Sequence, residues 1–184
     1  LQLQFAWGWP PALAAVGMLP QVVVLLALGP FVNPLVARWG MARAAWVSAS
    51  AVVLGLALFT GLNRVGYGGV AVALALVAAG LRVIGVVAAI TVLDGLPAAR
   101  TSVGAALTDT VTEVANGAGV AVAGTLIAAF VAGSITAPGW TPQQAAQFED
   151  AVTWGGGALT ALAAGLVAYG FARSCQHANP VGAP

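Results

Sequence analysis

Residues 69–93, GVAVALALVAAGLRVIGVVAAITVL, decide the fold class of this chain. Arg82 is the only charged residue in the stretch. A helix needs roughly 20 predominantly apolar residues to cross about 30 Å of hydrocarbon. The stretch is long enough, and we therefore predict a transmembrane helix here.

The composition of the whole chain has the same character. Of 184 residues, 60% are hydrophobic and 6% are charged, and the mean hydropathy is +0.97. Soluble domains carry roughly 25% charged residues, so an ordinary soluble enzyme is excluded and the lipid bilayer is the expected surrounding. The net charge of +1 provides no basic surface for nucleic acid.

Five apolar stretches are long enough to span a membrane, which predicts an all-α integral membrane protein with five transmembrane helices. They cover 10–36, 43–62, 69–93, 102–132 and 151–172, with polar connections at 37–40, 63–66, 94–100 and 134–150. Residues 1–9 are expected to be the tail of a preceding helix or an outer loop, and 173–184 a tail. The first span contains Pro20, Pro30 and Pro34, which predict kinks or a break.

Arginine is distributed unequally between alternate connections, which predicts the orientation. One side holds Arg38, Arg43, Arg100 and Arg173, and the other holds Arg64. The richer side is expected to be cytoplasmic, so the C-terminus is predicted inside and the N-terminus outside. An outside N-terminus without a signal peptide suggests at least one further helix upstream.

Arg82 lies near the middle of the third span. It is 13 residues from Gly69 and 11 from Leu93, which at about 1.5 Å per residue is close to the bilayer centre. An unpaired guanidinium there costs at least a few kcal/mol, about 3 or more. Arg82 should therefore face a carboxylate in a structural ion pair, or a polar cavity with a role in substrate or proton coupling.

Asp109 and Glu113 are four residues apart in the fourth span, so they share one helix face, which Asn116 continues. In a cleft of low dielectric constant, two carboxylates this close resist simultaneous ionisation. One of them could then exchange a proton for a cation, which is antiporter chemistry. Alternatively, both acids lie at the cytoplasmic boundary of a long helix and are solvated.

Small residues at four-residue spacing predict close helix packing. Gly119 lies between Ala115 and Ala123 in the fourth span, and Gly157 and Gly165 flank Ala161 in the fifth. Gly124, also in the fourth span, is a further expected packing position. The chain shows no phosphate-binding loop, nucleophile elbow or zinc-ligand spacing. We expect no catalytic residue, metal or cofactor, and therefore no enzyme.

Residues 96–124, LPAARTSVGAALTDTVTEVANGAGVAVAG, resemble the penultimate-helix region of the fourteen-helix drug:proton antiporters of the major facilitator superfamily. Pro97 and Arg100 match the Pro-x-x-(Lys/Arg) loop of that region. The run 119–121, Gly-Val-Ala, and Gly124 match its glycine-rich end. Residues 1–20 resemble the join between the ninth and tenth helices.

This resemblance implies that the chain is the C-terminal six-helix half of such a transporter without most of its first helix. Antiseptic-resistance exporters of lipophilic cations look most similar, because they carry acidic residues four apart on this helix. For Asp109 and Glu113 the resemblance implies proton coupling or cation recognition, in a bacterial cytoplasmic membrane. The implied partners are protons, a small lipophilic cation, and a missing N-terminal half or a second copy. A non-transporting structural or interaction subunit, or an inactive fragment, is the alternative.

Overall fold

The computed structural model describes residues 2–5, 7–97, 101–130 and 141–177, and within these ranges every regular element is a helix. The all-α prediction is therefore confirmed for this part of the chain. The helices are α1 (Gln2–Phe5), α2 (Pro11–Gly17), α3 (Leu19–Trp39), α4 (Met41–Leu62), α5 (Tyr67–Asp94), α6 (Thr101–Phe130) and α7 (Pro142–His177).

Four helical segments of the described chain are long and apolar enough to cross a membrane, which supports a membrane protein. They correspond to the first, second, third and fifth predicted spans, and run Pro11–Trp39, Met41–Leu62, Tyr67–Asp94 and Gln143–Ser174. Helix α6 coincides with the predicted fourth span but is not among these four. Its first half contains the polar residues Asp109, Glu113 and Asn116. Four of the five predicted spans thus have this support.

The first span is broken at Met18, between α2 and α3. Pro20 lies in the first turn of α3, where its missing N–H leaves no helical hydrogen bond unmade. The Met18 N–H donates to the Ala15 carbonyl at 3.1 Å, which tightens the end of α2. Pro30 and Pro34 lie inside α3 without ending it. Of the predicted kinks or break, the described chain has a one-residue interruption at Met18, near Pro20.

Two connections are shorter than predicted. Residues 37–39 belong to α3, and only Gly40, with φ +80°, separates α3 from α4. Residues 142–150 were also predicted as part of a connection, but they form the start of α7. The Thr141 and Gln144 side chains cap that start reciprocally: Thr141 N–H donates to Gln144 Oε1 at 3.0 Å, and Gln144 N–H donates to Thr141 Oγ1 at 3.3 Å.

Among the described helices, α4 and α5 have the most extensive contact with each other. An alanine Cβ at Gly80 of α5 would lie 2.6 Å from the Ser48 carbonyl oxygen of α4. One at Gly55 of α4 would lie 3.1 Å from the Ala73 carbonyl oxygen of α5. Both glycines therefore allow the two backbones to approach closely, as small residues do between membrane helices. Towards one end of this pair, α3 completes a core of buried Val32, Val36, Ala44, Val83 and Val87.

Contacts of α7 identify the two ends of the bundle. At one end, Arg64 in the α4–α5 turn forms an ion pair with Asp150 of α7. At the other end, Trp46 near the start of α4 packs edge-on against Phe171, with ring centroids 5.5 Å apart. The α3–α4 junction at Gly40 and the end of α7 thus lie at the opposite end of the bundle from the α4–α5 turn. This agrees with the alternation of connections between the two sides of the membrane from which the orientation was predicted. The end that faces the cytoplasm stays a prediction.

Candidate functional site

The predicted acidic site lies on the part of α6 that the rest of the described chain does not cover. Asp109, Glu113 and Asn116 are exposed, as is every residue from 109 to 122. The apolar neighbours Val111 and Val114 are 60% and 66% exposed. Inside a bilayer, this face would meet lipid or another protein surface.

Two contacts hold α6 against the bundle, one before and one after the acidic residues along the helix. Near its start, Gly104 packs closely against Leu96, which follows α5. Further along, Ala123 lines an apolar cavity of about 200 Å³ with Phe59 of α4 and Gly156 of α7. The acidic residues lie between these two contacts, so helices of the same chain support α6 without enclosing its polar face.

The threonine hydroxyls around the acidic pair donate to the helix itself. Thr108 Oγ1 donates to the Gly104 carbonyl at 2.9 Å, and Thr112 Oγ1 donates to the Thr108 carbonyl at 2.8 Å. Such back-bonding to the fourth preceding carbonyl satisfies a hydroxyl donor within an apolar surrounding. Among the described residues, no hydrogen bond or ion pair involves Asp109 or Glu113. Their carboxylates therefore remain available to a group from outside this part of the chain.

Arg82 points towards α3 and is also exposed. Its Nη2 atom lies 3.5 Å from the position that a Cβ on Gly29 would occupy, so the guanidinium rests against the middle of α3. Within the described ranges Arg82 has no carboxylate within ion-pair distance, so the expected structural pair is not formed there. A coupling role for Arg82 stays a prediction.

Arg82 and Glu113 are equally far, in residues, from the two helix ends that follow one another in the sequence. Arg82 is 12 residues before the end of α5 at Asp94, and Glu113 is 12 residues after the start of α6 at Thr101. The short connection 95–100 joins these two ends, and at about 1.5 Å per residue each side chain originates roughly 18 Å from its helix end. Asp109 lies one turn nearer the connection. By helix length alone, Glu113 is close to the centre of α6, whereas Asp109 is nearer one boundary.

The four glycines predicted to pack have no close neighbour within the described chain. A Cβ added at Gly119, Gly124, Gly157 or Gly165 would meet no atom within 4 Å. Their predicted packing role stays a prediction that would need a surface outside the described residues. The neighbouring Gly156 does face another helix, because a Cβ there would lie 2.7 Å from Thr60 Oγ1 of α4.

A buried polar contact at the opposite end was not anticipated from the sequence. Asn63, predicted only as part of a connection, is 1% exposed. Its Nδ2 atom donates to Thr153 Oγ1 of α7 at 3.1 Å, next to the Arg64–Asp150 ion pair. The only indication of this contact in the sequence is an asparagine at a predicted turn. Its burial accompanies the early start of α7, whose residues Asp150 and Thr153 contact this turn.

The described residues contain no group of three or more His, Cys, Asp or Glu side chains that could hold a metal ion. No family model matches the sequence, and no curated protein or solved structure gives a significant match. The likeness to the drug:proton antiporters therefore rests on the residues of 96–124 and on the number and order of the apolar stretches.

Proposed function

We propose that this chain is the C-terminal part of a proton-coupled efflux transporter for lipophilic cations, of the major facilitator type. The observation that carries the proposal is the pair Asp109 and Glu113, which form no hydrogen bond or ion pair among the described residues and lie in the segment 109–122 of α6 that is exposed throughout. The resemblance of 96–124 to the antiporters supports the same assignment.

The energetics of a bilayer favour a polar cavity beside this face. A carboxylate facing hydrocarbon without a partner costs several kcal/mol, on the order of 3 by insertion scales. Covering α6 with a second set of helices, with water between the two, would remove most of that cost. Two such halves around a polar cavity near the midplane are the arrangement in which transporters alternate access.

The spacing of the two acids supports a role in proton coupling. Side chains four residues apart on a helix are neighbours, and two neighbouring carboxylates in a site of low dielectric constant do not both ionise readily. Such a pair would offer one negatively charged site for which a proton and a lipophilic cation compete. Arg82, on α5, would then repel the cation from the α3 side of the cavity.

The test is gradient-driven efflux of ethidium from cells that express the complete reading frame. We expect Asp109→Asn and Glu113→Gln each to abolish most of the efflux driven by an imposed pH gradient, at unchanged abundance in the membrane. The matched controls are Asp94→Asn, at the end of α5, and Glu149→Gln, at the opposite end of the bundle. These controls should retain efflux.

Unchanged efflux in both α6 variants would contradict the coupling role and favour solvated acids at the boundary. Absence of efflux in the parent protein would instead favour the second candidate, a non-transporting membrane subunit. The observation behind that candidate is the uncovered face of α7, where Gly157 and Gly165 have open space beside them. Small residues on such a face allow a partner helix to approach closely.

A further inference from the structure

An apolar groove runs between α4 and α7, on a different part of the bundle from the acidic face of α6. Its volume is about 540 Å³, within the range of small-molecule sites, and Ser50 is the only polar side chain in its lining. Trp46, Leu54, Val167 and Phe171 contribute its larger apolar side chains. A second apolar hollow of about 410 Å³ adjoins it across Trp46 and Leu54.

An aromatic pair closes the groove at one end. Trp46 packs edge-on against Phe171. The indole also rests against Gly170, since a Cβ there would lie 3.1 Å from Trp46 Cη2. The absence of a side chain at Gly170 thus allows the indole of Trp46 to pack directly against α7. The end of the groove is therefore formed by α4 and α7 together.

The same end of the bundle is positively charged. Arg43 lies one helical turn before Trp46 on α4, and Arg173 lies two residues after Phe171 on α7. Both are exposed, and neither has a carboxylate within ion-pair distance among the described residues. Arg173 is held over the Tyr169 ring at 5.6 Å and donates from Nε to the Tyr169 hydroxyl at 3.1 Å.

The start of α4 adds to this positive field. Gly40 is its N-cap residue, and no side chain caps the helix there. The first backbone N–H groups of α4 are therefore free to bind an anion, and the helix dipole favours one. Arg43 and an uncapped helix start thus lie at the aromatic end of the apolar groove, on the α4 side. Arg173 lies at the same end of the bundle, but it follows Phe171 by two residues and therefore faces away from the groove with Tyr169.

We propose that this groove binds one anionic phospholipid. An acyl chain would lie against Leu54 and Val167, and the phosphate would lie between Arg43 and the start of α4. The groove lies between two membrane helices and has an apolar lining and a positively charged end. These two features match the acyl chain and the anionic headgroup of such a lipid. A lipophilic cation does not match it, because Arg43 and the start of α4 would repel its charge. The inference is independent of the proposed transport function.

The experiment uses the purified full chain in detergent, titrated with phosphatidylglycerol or with phosphatidylcholine of identical acyl chains. We expect phosphatidylglycerol to raise the midpoint of thermal unfolding at low molar ratio, and phosphatidylcholine to raise it much less. The variant Arg43→Gln should lose the difference between the lipids, whereas Arg173→Gln, on the side of α7 away from the groove, should keep it. The matched control Arg38→Gln, at the same end on α3, should keep it.

Lipid brominated along its acyl chains locates the site without relying on stability. Brominated phosphatidylglycerol should quench the tryptophan fluorescence of the parent in a saturable manner. The Trp46→Phe variant should lose that saturable part, whereas Trp154→Phe, which removes an exposed indole outside the groove, should retain it. Equal quenching in the parent and Trp46→Phe would overturn the proposal. Equal stabilisation by the two lipids, or loss of the difference in Arg38→Gln, would also overturn it.

Discussion

Replacing Gly80 by alanine should destabilise the bundle, whereas the same change at Gly85 should not. The new Cβ at Gly80 would lie 2.6 Å from both the Ser48 carbonyl oxygen and Val52 Cγ2, and 3.1 Å from the Val52 backbone nitrogen. Two of these three atoms are backbone, so a side-chain rotation cannot relieve the overlap. At Gly85, on the same helix, a Cβ would meet no atom within 4 Å.

The difference between the two variants isolates the cost of packing. Replacing glycine by alanine stabilises a helix by roughly 1 kcal/mol at an ordinary interior position. Both variants have this gain in helix stability. Overpacking a close interface costs about 1–3 kcal/mol. We therefore expect Gly80→Ala to be less stable than Gly85→Ala by about 1–3 kcal/mol, which is roughly 5- to 150-fold in the unfolding equilibrium.

The assay is reversible unfolding of the purified protein by sodium dodecyl sulfate in mixed micelles, followed by far-ultraviolet circular dichroism. Both variants and the parent are measured in the same detergent, so the surroundings cancel in the comparison. A difference below about 0.5 kcal/mol, the usual scatter of neutral substitutions, would refute the close approach of α4 and α5 at this point.

Three further predictions concern other parts of the chain. Asn63→Ala should lower the free energy of unfolding by about 1–3 kcal/mol, because it removes a buried hydrogen-bonding group. Arg64→Gln removes one partner of an ion pair whose side chains are 50% and 59% exposed, and it should lower the free energy of unfolding by at most about 1 kcal/mol in the same assay. Thr141→Ala should cost about 0.5–2 kcal/mol and lower hydrogen-exchange protection in the first turn of α7, because it removes a reciprocal cap. Nitroxide labels attached to cysteines substituted for Arg82 and Glu113, in a background without the native cysteine, should report the same depth within about 5 Å, roughly one helical turn.

Each of these predictions has an internal control. Equal costs at positions 63 and 64 would contradict the burial of the asparagine. For the cap, Gln143→Ala changes a neighbouring exposed residue without touching the reciprocal bonds, and an equal loss of protection there would contradict the capping argument. For the depth measurement, a label at 113 in the headgroup region with a label at 82 at the centre would place the acids at the boundary.

The residues that form helices were largely predictable, because helix formation in an apolar chain depends on local composition. A backbone in hydrocarbon has to satisfy its hydrogen bonds within its own segment, so a long apolar stretch is enough to predict α4 and α5 to within two residues at each end. The early start of α7 was also encoded locally, in Thr141, Pro142 and Gln144, which have the pattern of a capped helix start. Assigning 142–150 to a connection overlooked that pattern.

The site was predictable only as a set of residue types. Spacing placed Asp109, Glu113 and Asn116 on one face of α6, but it did not show that the described chain leaves that face uncovered. Arg82 was expected to find a carboxylate, and the structure turns it towards Gly29 of α3. The family resemblance and the coupling roles remain predictions to be tested by efflux.

Length, hydropathy and the spacing of charges by themselves predicted a helical membrane protein with an acidic pair on one helix face. Only the tertiary structure decided which small residues meet. The sequence pattern at four-residue spacing favoured Gly119 and Gly157, whereas the contacts are made by Gly55 and Gly80. The reason is that a helix interface depends on how two helices are rotated and shifted relative to each other. Those variables belong to the pair, and the pattern within either helix alone does not contain them.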